Sequence, residues 1–190
     1  MNSKPDGDKP LILITVGTDH HPFDRLIGWV DRWTRAHGDD ARCVIQYGTS
    51  YPPDWAEGSD YLTPAQLQDH LSQATAVVSH GGPSTIMEIR AAGILPIVVP
   101  RDPAFGEHVD GHQMAFAAHL AKHGRIRFPH DEDDLAMTLD RAVDRPDAFR
   151  LALDAGRDVA DLQDFTGWVN GLIQAPRGSL FQRARAVVRR

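Results

Sequence analysis

The chain has one cysteine, Cys43, in 190 residues. A single thiol excludes an internal disulfide framework and a zinc site built on cysteine. No apolar run is long enough to span a bilayer, and no N-terminal stretch reads as a secretory signal. Positive charge is in deficit: 20 Lys and Arg against 26 Asp and Glu leave a formal net charge of −6. That balance argues against a general nucleic-acid surface. A dinucleotide fingerprint is also missing. The first apolar run, residues 11–16, is followed by Gly17-Thr18-Asp19-His20 and not by G-x-G-x-x-G, which weighs against a dinucleotide-dependent oxidoreductase. No internal repeat is visible. What remains is the expectation of a cytoplasmic protein with one sizeable core, consistent with its 42% hydrophobic content.

The stretch that organises the chain is residues 76–100, AVVSHGGPSTIMEIRAAGILPIVVP. Residues 76–79 form a short apolar run of the kind a buried parallel strand needs. His80, Gly81 and Gly82 make a tight turn in which glycines allow backbone to approach a ligand. Pro83 suits the first position of a helix, where a missing N–H costs nothing. Ile86, Ile89 and Arg90 keep helical spacing, Gly93 is a natural stop, and residues 94–99 read as a second buried strand. The turn therefore aims free N–H groups and the positive end of a helix dipole outward, next to Ser84 and Thr85. Such a turn suits a phosphate or diphosphate.

The rest alternates in the same way. Residues 11–16 and 41–47 read as strands, the latter burying Cys43 as an inert thiol. Residues 23–37 read as a helix with Leu26, Ile27, Val30 and Trp33 on one face. Residues 48–58 are loop, and Thr63 caps a helix that runs to about Gln73. A long loop from Arg101 ends in His108-Val109-Asp110-Gly111-His112-Gln113. A helix at 113–123, a short strand at 125–128 and a helix at 131–143 follow, with two more helices near 147–156 and 161–173. The fold class is thus α/β, a Rossmann-like parallel sheet with helices on both faces. Residues 1–10 form a loose tail, 11–175 one domain, and 176–190 a basic amphipathic tail in which Leu180, Phe181, Val187 and Val188 accompany arginines.

Three ordered blocks carry a resemblance. VGTDHHPFDRLI at residues 16–27, SHGGPSTIMEIRAAGILPIVVPR at 79–101 and HVDGHQ at 108–113 resemble the C-terminal, donor-binding domain of family-28 glycosyltransferases. They are most similar to single-domain catalytic subunits of two-chain transferases, such as the eukaryotic dolichyl-diphosphate GlcNAc transferase and bacterial exopolysaccharide or capsule enzymes. The resemblance implies one half, the C-terminal lobe, of a GT-B fold. It implies a UDP-sugar donor, inverting transfer and a lipid-linked acceptor. It also implies a membrane-associated partner subunit that supplies the acceptor lobe and holds the chain at the inner membrane face.

It further implies site residues. Gly17 and Thr18 line the donor cleft, Leu62 offers backbone to the uracil, and Gly81, Gly82, Ser84 and Thr85 hold the diphosphate. Glu88, one turn beyond Ser84, accepts from the ribose hydroxyls, and Asp110, His112 and Gln113 bind sugar hydroxyls. His20, in an exposed pair with His21, and His80 are the catalytic candidates, the first as acid or base and the second as a stabiliser of the leaving diphosphate. No cofactor or metal is expected. Asp6-Gly7-Asp8 lies in a tail, and Asp131, Glu132, Asp133 and Asp134 suit a helix N-terminus. His108, Asp110 and His112 alternate as zinc ligands could, but no further ligand cluster accompanies them in the sequence. The alternative to an enzyme is a noncatalytic nucleotide-sugar-binding or regulatory subunit. A UDP-sugar epimerase uses a similar fold but needs two lobes in one chain.

Overall fold

The computed structural model describes residues 9–151. The Asp6-Gly7-Asp8 stretch, the tail at 176–190, the helix near 161–173 and all of the expected N-terminal tail but residues 9 and 10 lie outside the described residues. So does half of the helix near 147–156, residues 152–156.

Five parallel strands form the sheet: β1 (Leu11–Thr15), β2 (Arg42–Gln46), β3 (Glu57–Ser59), β4 (Ala74–Ser79) and β5 (Ile97–Val98). Their order is β3-β2-β1-β4-β5. β1 is buried on both faces along its whole length, and this is why it reads as an unbroken apolar run and not as an alternating one. Helix α1 (Asp24–His37) sets Leu26, Ile27, Val30 and Trp33 against Ile12, Ile14 and Ile45, as its 3.6-residue spacing requires. Helix α2 (Pro64–Gln73) opens with a capping box in which Thr63 and Gln66 satisfy each other's backbone N–H. Helix α3 (Pro83–Ala91) starts at its proline and ends before Gly93, whose φ of 75° suits only glycine without strain. Helices α4 (His112–Lys122) and α5 (Glu132–Asp144) follow, with Asp131 capping the latter through Asp134 N–H. Cys43 is buried, and burial pushes its thiol up to about 11, so it is inert.

Four sequence expectations need correction. Of residues 48–58, expected as loop, Glu57 and Gly58 belong to β3, because they pair with Val44 and Ile45 of β2. The strand expected over 94–99 narrows to Ile97–Val98, because Pro96 lacks an N–H and Ile94 turns away to bridge Arg150 antiparallel. The strand expected at 125–128 is a single bridge from Arg127 to Ile97. The helix expected from 147 is a short 3-10 turn, Pro146–Phe149, that seats Phe149 in the core.

Strand order reverses between β1 and β4: the chain runs outward to β2 and β3 on one side, then returns to β4 and β5 on the other. Loops leaving the carboxyl ends of β1 and β4 therefore diverge and open a crevice between them. In open α/β sheets ligands bind at this reversal.

Candidate functional site

Gly17 leaves β1 and His80 leaves β4 at the reversal, side by side. The His80 N–H donates to Thr15 O at 3.3 Å, continuing the β1–β4 ladder by one bond. The imidazole of His80 is buried and wedged between two glycines. A Cβ on Gly17 would lie 2.5 Å from its Cε1, and one on Gly82 would lie 2.2 Å from its Nε2. Gly17 also has φ of 76°. Its conformation is fixed further by Gln46, which accepts from the Thr15 hydroxyl and donates to Gly17 O at 2.8 Å. Gly81 is close-packed for a different reason, since a Cβ there would meet Cβ of Gln113 at 2.8 Å. Gly81 and Gly82 are thus required by close contact alone, and Gly17 both by contact and by its positive φ.

Burial, and then the positive charge of Arg101, lower the His80 pKa to about 4. The ring is neutral at physiological pH and its Nδ1 has no partner within the protein. His80 therefore carries no positive charge into the turn, and its neutral ring keeps the capacity to donate one hydrogen bond.

The buried cation is Arg101, just beyond β5, which is fully shielded from solvent. Its guanidinium donates to His21 O at 2.6 Å, Glu107 O at 3.0 Å and Val16 O at 2.9 Å, and it lies 4.9 Å over the Phe23 ring. One side chain thus ties the loop after β1 to the loop after β5. Burial draws its pKa down while Asp19 and Glu107 act to raise it; an arginine remains charged through such a shift. Glu107, also buried, takes a two-pronged bond from Arg25 of α1 at 2.7 and 2.9 Å and accepts from the Asp102 N–H. The loop from Arg101 to Glu107 is therefore held firmly, and His108, Asp110 and Gln113 hang from its end.

The other expected residues fall around this centre. Ser84 and Thr85 begin the first turn of α3, whose leading N–H groups have no partners inside the helix. Glu88 is exposed one turn along the same helix. Thr18 is exposed on the β1 loop. Leu62 packs on the α2-side core beyond β3, two strands away from the reversal. Asp110 accepts from the His112 N–H at 3.0 Å and pairs with its ring at 3.1 Å, so it braces the start of α4 although Gly111 is the formal cap. Gln113 turns its Oε1 toward the Arg101 N–H at 3.4 Å.

The two loop histidines differ. His20 is 84% exposed, with its ring 4.0 Å from that of His21 and Nδ1 3.8 Å from Asp19 Oδ1, whereas His21 is half-buried with Nδ1 2.6 Å from the same oxygen. Burial alone would raise the Asp19 pKa, but the His21 N–H and ring and the Arg101 charge bring it to about 2. Sequence reading chose His20 of the pair. His21 is the histidine the fold orients, and the Asp-x-His spacing that closes this local turn was the available signal.

These loops stand on a Rossmann-like half-domain, built as the C-terminal half of the GT-B fold. The sequence profile described as the glycosyltransferase family 28 C-terminal domain matches residues 11–152. The chain belongs to that family. Among solved structures it is similar to the glycosyltransferase of kitacinnamycin, at 21% identity with a TM-score of 0.55, over 75% of this chain and 37% of that one. It is similar to MurG of Acinetobacter baumannii, at 19% identity and TM-score 0.52, over 75% of this chain and 43% of that one. A UDP-N-acetylglucosamine 2-epimerase from Listeria monocytogenes matches at 13% identity and TM-score 0.52, over 73% and 38%. The chain thus spans less than half the length of each. No curated protein matches the sequence significantly.

Proposed function

We propose that this chain is the UDP-sugar-binding, catalytic subunit of an inverting glycosyltransferase, acting on a lipid-linked acceptor with a partner subunit that contributes the acceptor lobe. The observation that carries the reading is the β1–β4 reversal, where Gly17 packs against the His80–Gly82 turn that leads into the open first turn of α3. Diphosphate oxygens at that turn would meet the N–H groups of Ser84 and Thr85 and the positive end of the helix dipole, with the Arg101 charge buried behind. Family membership supports sugar transfer as the chemistry, and the resemblance of the three sequence blocks supports the uridine donor and the two-chain organisation.

The leaving UDP needs stabilisation of developing charge more than it needs a proton. Preorganised dipoles supply this without reorganising during the reaction. In this reading Glu88 takes the ribose hydroxyls, Asp110, His112 and Gln113 the sugar, and Leu62 offers its backbone to the uracil. His80 sets the spacing between the two loops. No metal is assigned to the diphosphate. The acceptor hydroxyl and the base that deprotonates it are placed on the partner's side of the crevice.

The test is transfer of labelled sugar from a UDP-sugar to a lipid-linked acceptor, by the chain alone and together with the product of its neighbouring gene. The expected result is turnover only in the pair. UDP binding without turnover in any pairing would favour a noncatalytic binding subunit.

A further inference from the structure

The alternating His108, Asp110 and His112 make a poor metal site as a sequence because nothing else accompanies them. The fold changes that. The loop after β1 lies against the loop after β5, pinned there by Arg101 through His21 O and Glu107 O. Asp19 Oδ2 then stands 3.6 Å from His108 Nε2, while its Oδ1 is 2.6 Å from His21 Nδ1 and 3.8 Å from His20 Nδ1. The ligand atoms of Asp19, His20 and His21 all lie within 4.8 Å of one another. The rings of His21 and His108 are 6.2 Å apart.

We propose that Asp19, His20, His21 and His108 form a binding site for a divalent transition ion of the zinc class, assembled from two loops at the rim of the donor crevice. Bonds of about 2.0–2.1 Å in a tetrahedron place neighbouring ligand atoms about 3.3 Å apart. Asp19 Oδ1 stands 2.6 Å from His21 Nδ1 and 3.8 Å from His20 Nδ1, on either side of that value, while His108 meets the other oxygen, Oδ2, at 3.6 Å and closes on the ion by a side-chain movement. Three imidazoles and one carboxylate are a donor set that zinc, cobalt, nickel and copper prefer over magnesium or calcium. Two supports are already in place. On the side of the His108 ring away from Asp19, Nδ1 accepts from the Asp110 N–H at 3.3 Å and has the Asp110 carboxylate 3.4 Å away, close enough to serve as an outer carboxylate once Nδ1 carries the proton. Arg101 fixes the backbone at His21. On binding, His21 moves its proton from Nδ1 to Nε2 and the gap to Asp19 opens by under 1 Å. The site is separate from the diphosphate turn at α3, and it stands or falls independently of the function proposed above.

The experiment is calorimetric titration of Zn²⁺ into the untagged full chain at pH 7.5, with the thermal unfolding transition, and UDP binding where it occurs, measured on the same samples as a check on folding. The expected result is one zinc ion per chain, with affinity falling by ~10-fold or more in Asp19→Asn, His21→Ala and His108→Ala. His119→Ala, which removes one member of the His119–His123 ring pair on α4, should leave the binding unchanged. His108→Ala is decisive, because a chance chelate made by the 19–21 loop alone would ignore it. No zinc binding, binding indifferent to His108, or binding lost with His119 would each overturn the proposal. Asp19→Asn keeps the shape of the side chain, so loss of zinc with the unfolding transition intact cannot be put down to unfolding.

Discussion

At the scale of single residues, the wedge of His80 between Gly17 and Gly82 makes a sharp prediction. Gly82→Ala should destabilise the protein by about 1–3 kcal/mol, because its new Cβ would overlap the imidazole. In a His80→Ala background most of that cost should vanish. Gly17→Ala should keep a penalty of roughly 1–2 kcal/mol in the same background, since its left-handed backbone is strained with or without the ring. A double-mutant cycle by denaturant unfolding separates the two. His80 also has a pH signature. Its pKa is about 4 in the folded protein against about 6.5 when unfolded, so between those values the unfolded chain binds more protons. Stability contributed by the buried neutral ring is complete above pH 6.5 and is lost as pH falls to 4, by about 3 kcal/mol in all. His80→Gln should flatten that slope; an unchanged slope would put the acid sensitivity elsewhere. Glu88→Ala should weaken UDP by about 10-fold or more without moving the melting temperature, because it removes an exposed charged acceptor and nothing from the core. Unaltered UDP affinity would remove the ribose assignment.

At the scale of elements, Arg101 is the strut of the site. It was visible in the sequence only as the residue after a strand-ending proline, and nothing in composition or periodicity marks a buried cation. Its role depends on three carbonyls from two loops that are distant in the chain. Arg101→Lys keeps a charge but cannot span those acceptors, and should cost on the order of 2–4 kcal/mol in unfolding free energy while loosening UDP. A variant as stable as the parent would mean that the loops hold themselves. By contrast β1, β2, β4, α1, the Thr63 cap and the Pro83 start of α3 were legible, because each follows from local chemistry: an apolar run, a 3.6-residue stripe, a capping side chain, a residue without an N–H. What was not legible came from long-range contact. Shortening of the strand at Ile97–Val98, the neutral state of His80 and the meeting of Asp19 with His108 all depend on what the fold brings alongside.

At the scale of the whole molecule, the described residues provide one sheet with one crevice at its reversal, and none of the described helices is long and apolar enough to cross a membrane. A GT-B active site closes between two lobes, so the account requires a second one. The basic amphipathic stretch within residues 176–190 is the means of docking proposed here. Removing residues 178–190 should abolish capture of the partner subunit while UDP affinity stays constant, measured by pull-down and calorimetry on the same preparations. Retained assembly would move the docking surface elsewhere on the domain. Titrating UDP into the isotopically labelled full chain while following backbone amide resonances locates the nucleotide. Saturable shifts should concentrate at Gly17, Thr18, the 80–85 turn and Glu88, while α5, packed on α1, stays unmoved. Absence of binding, or shifts that gather away from the ends of β1 and β4, would contradict that placement.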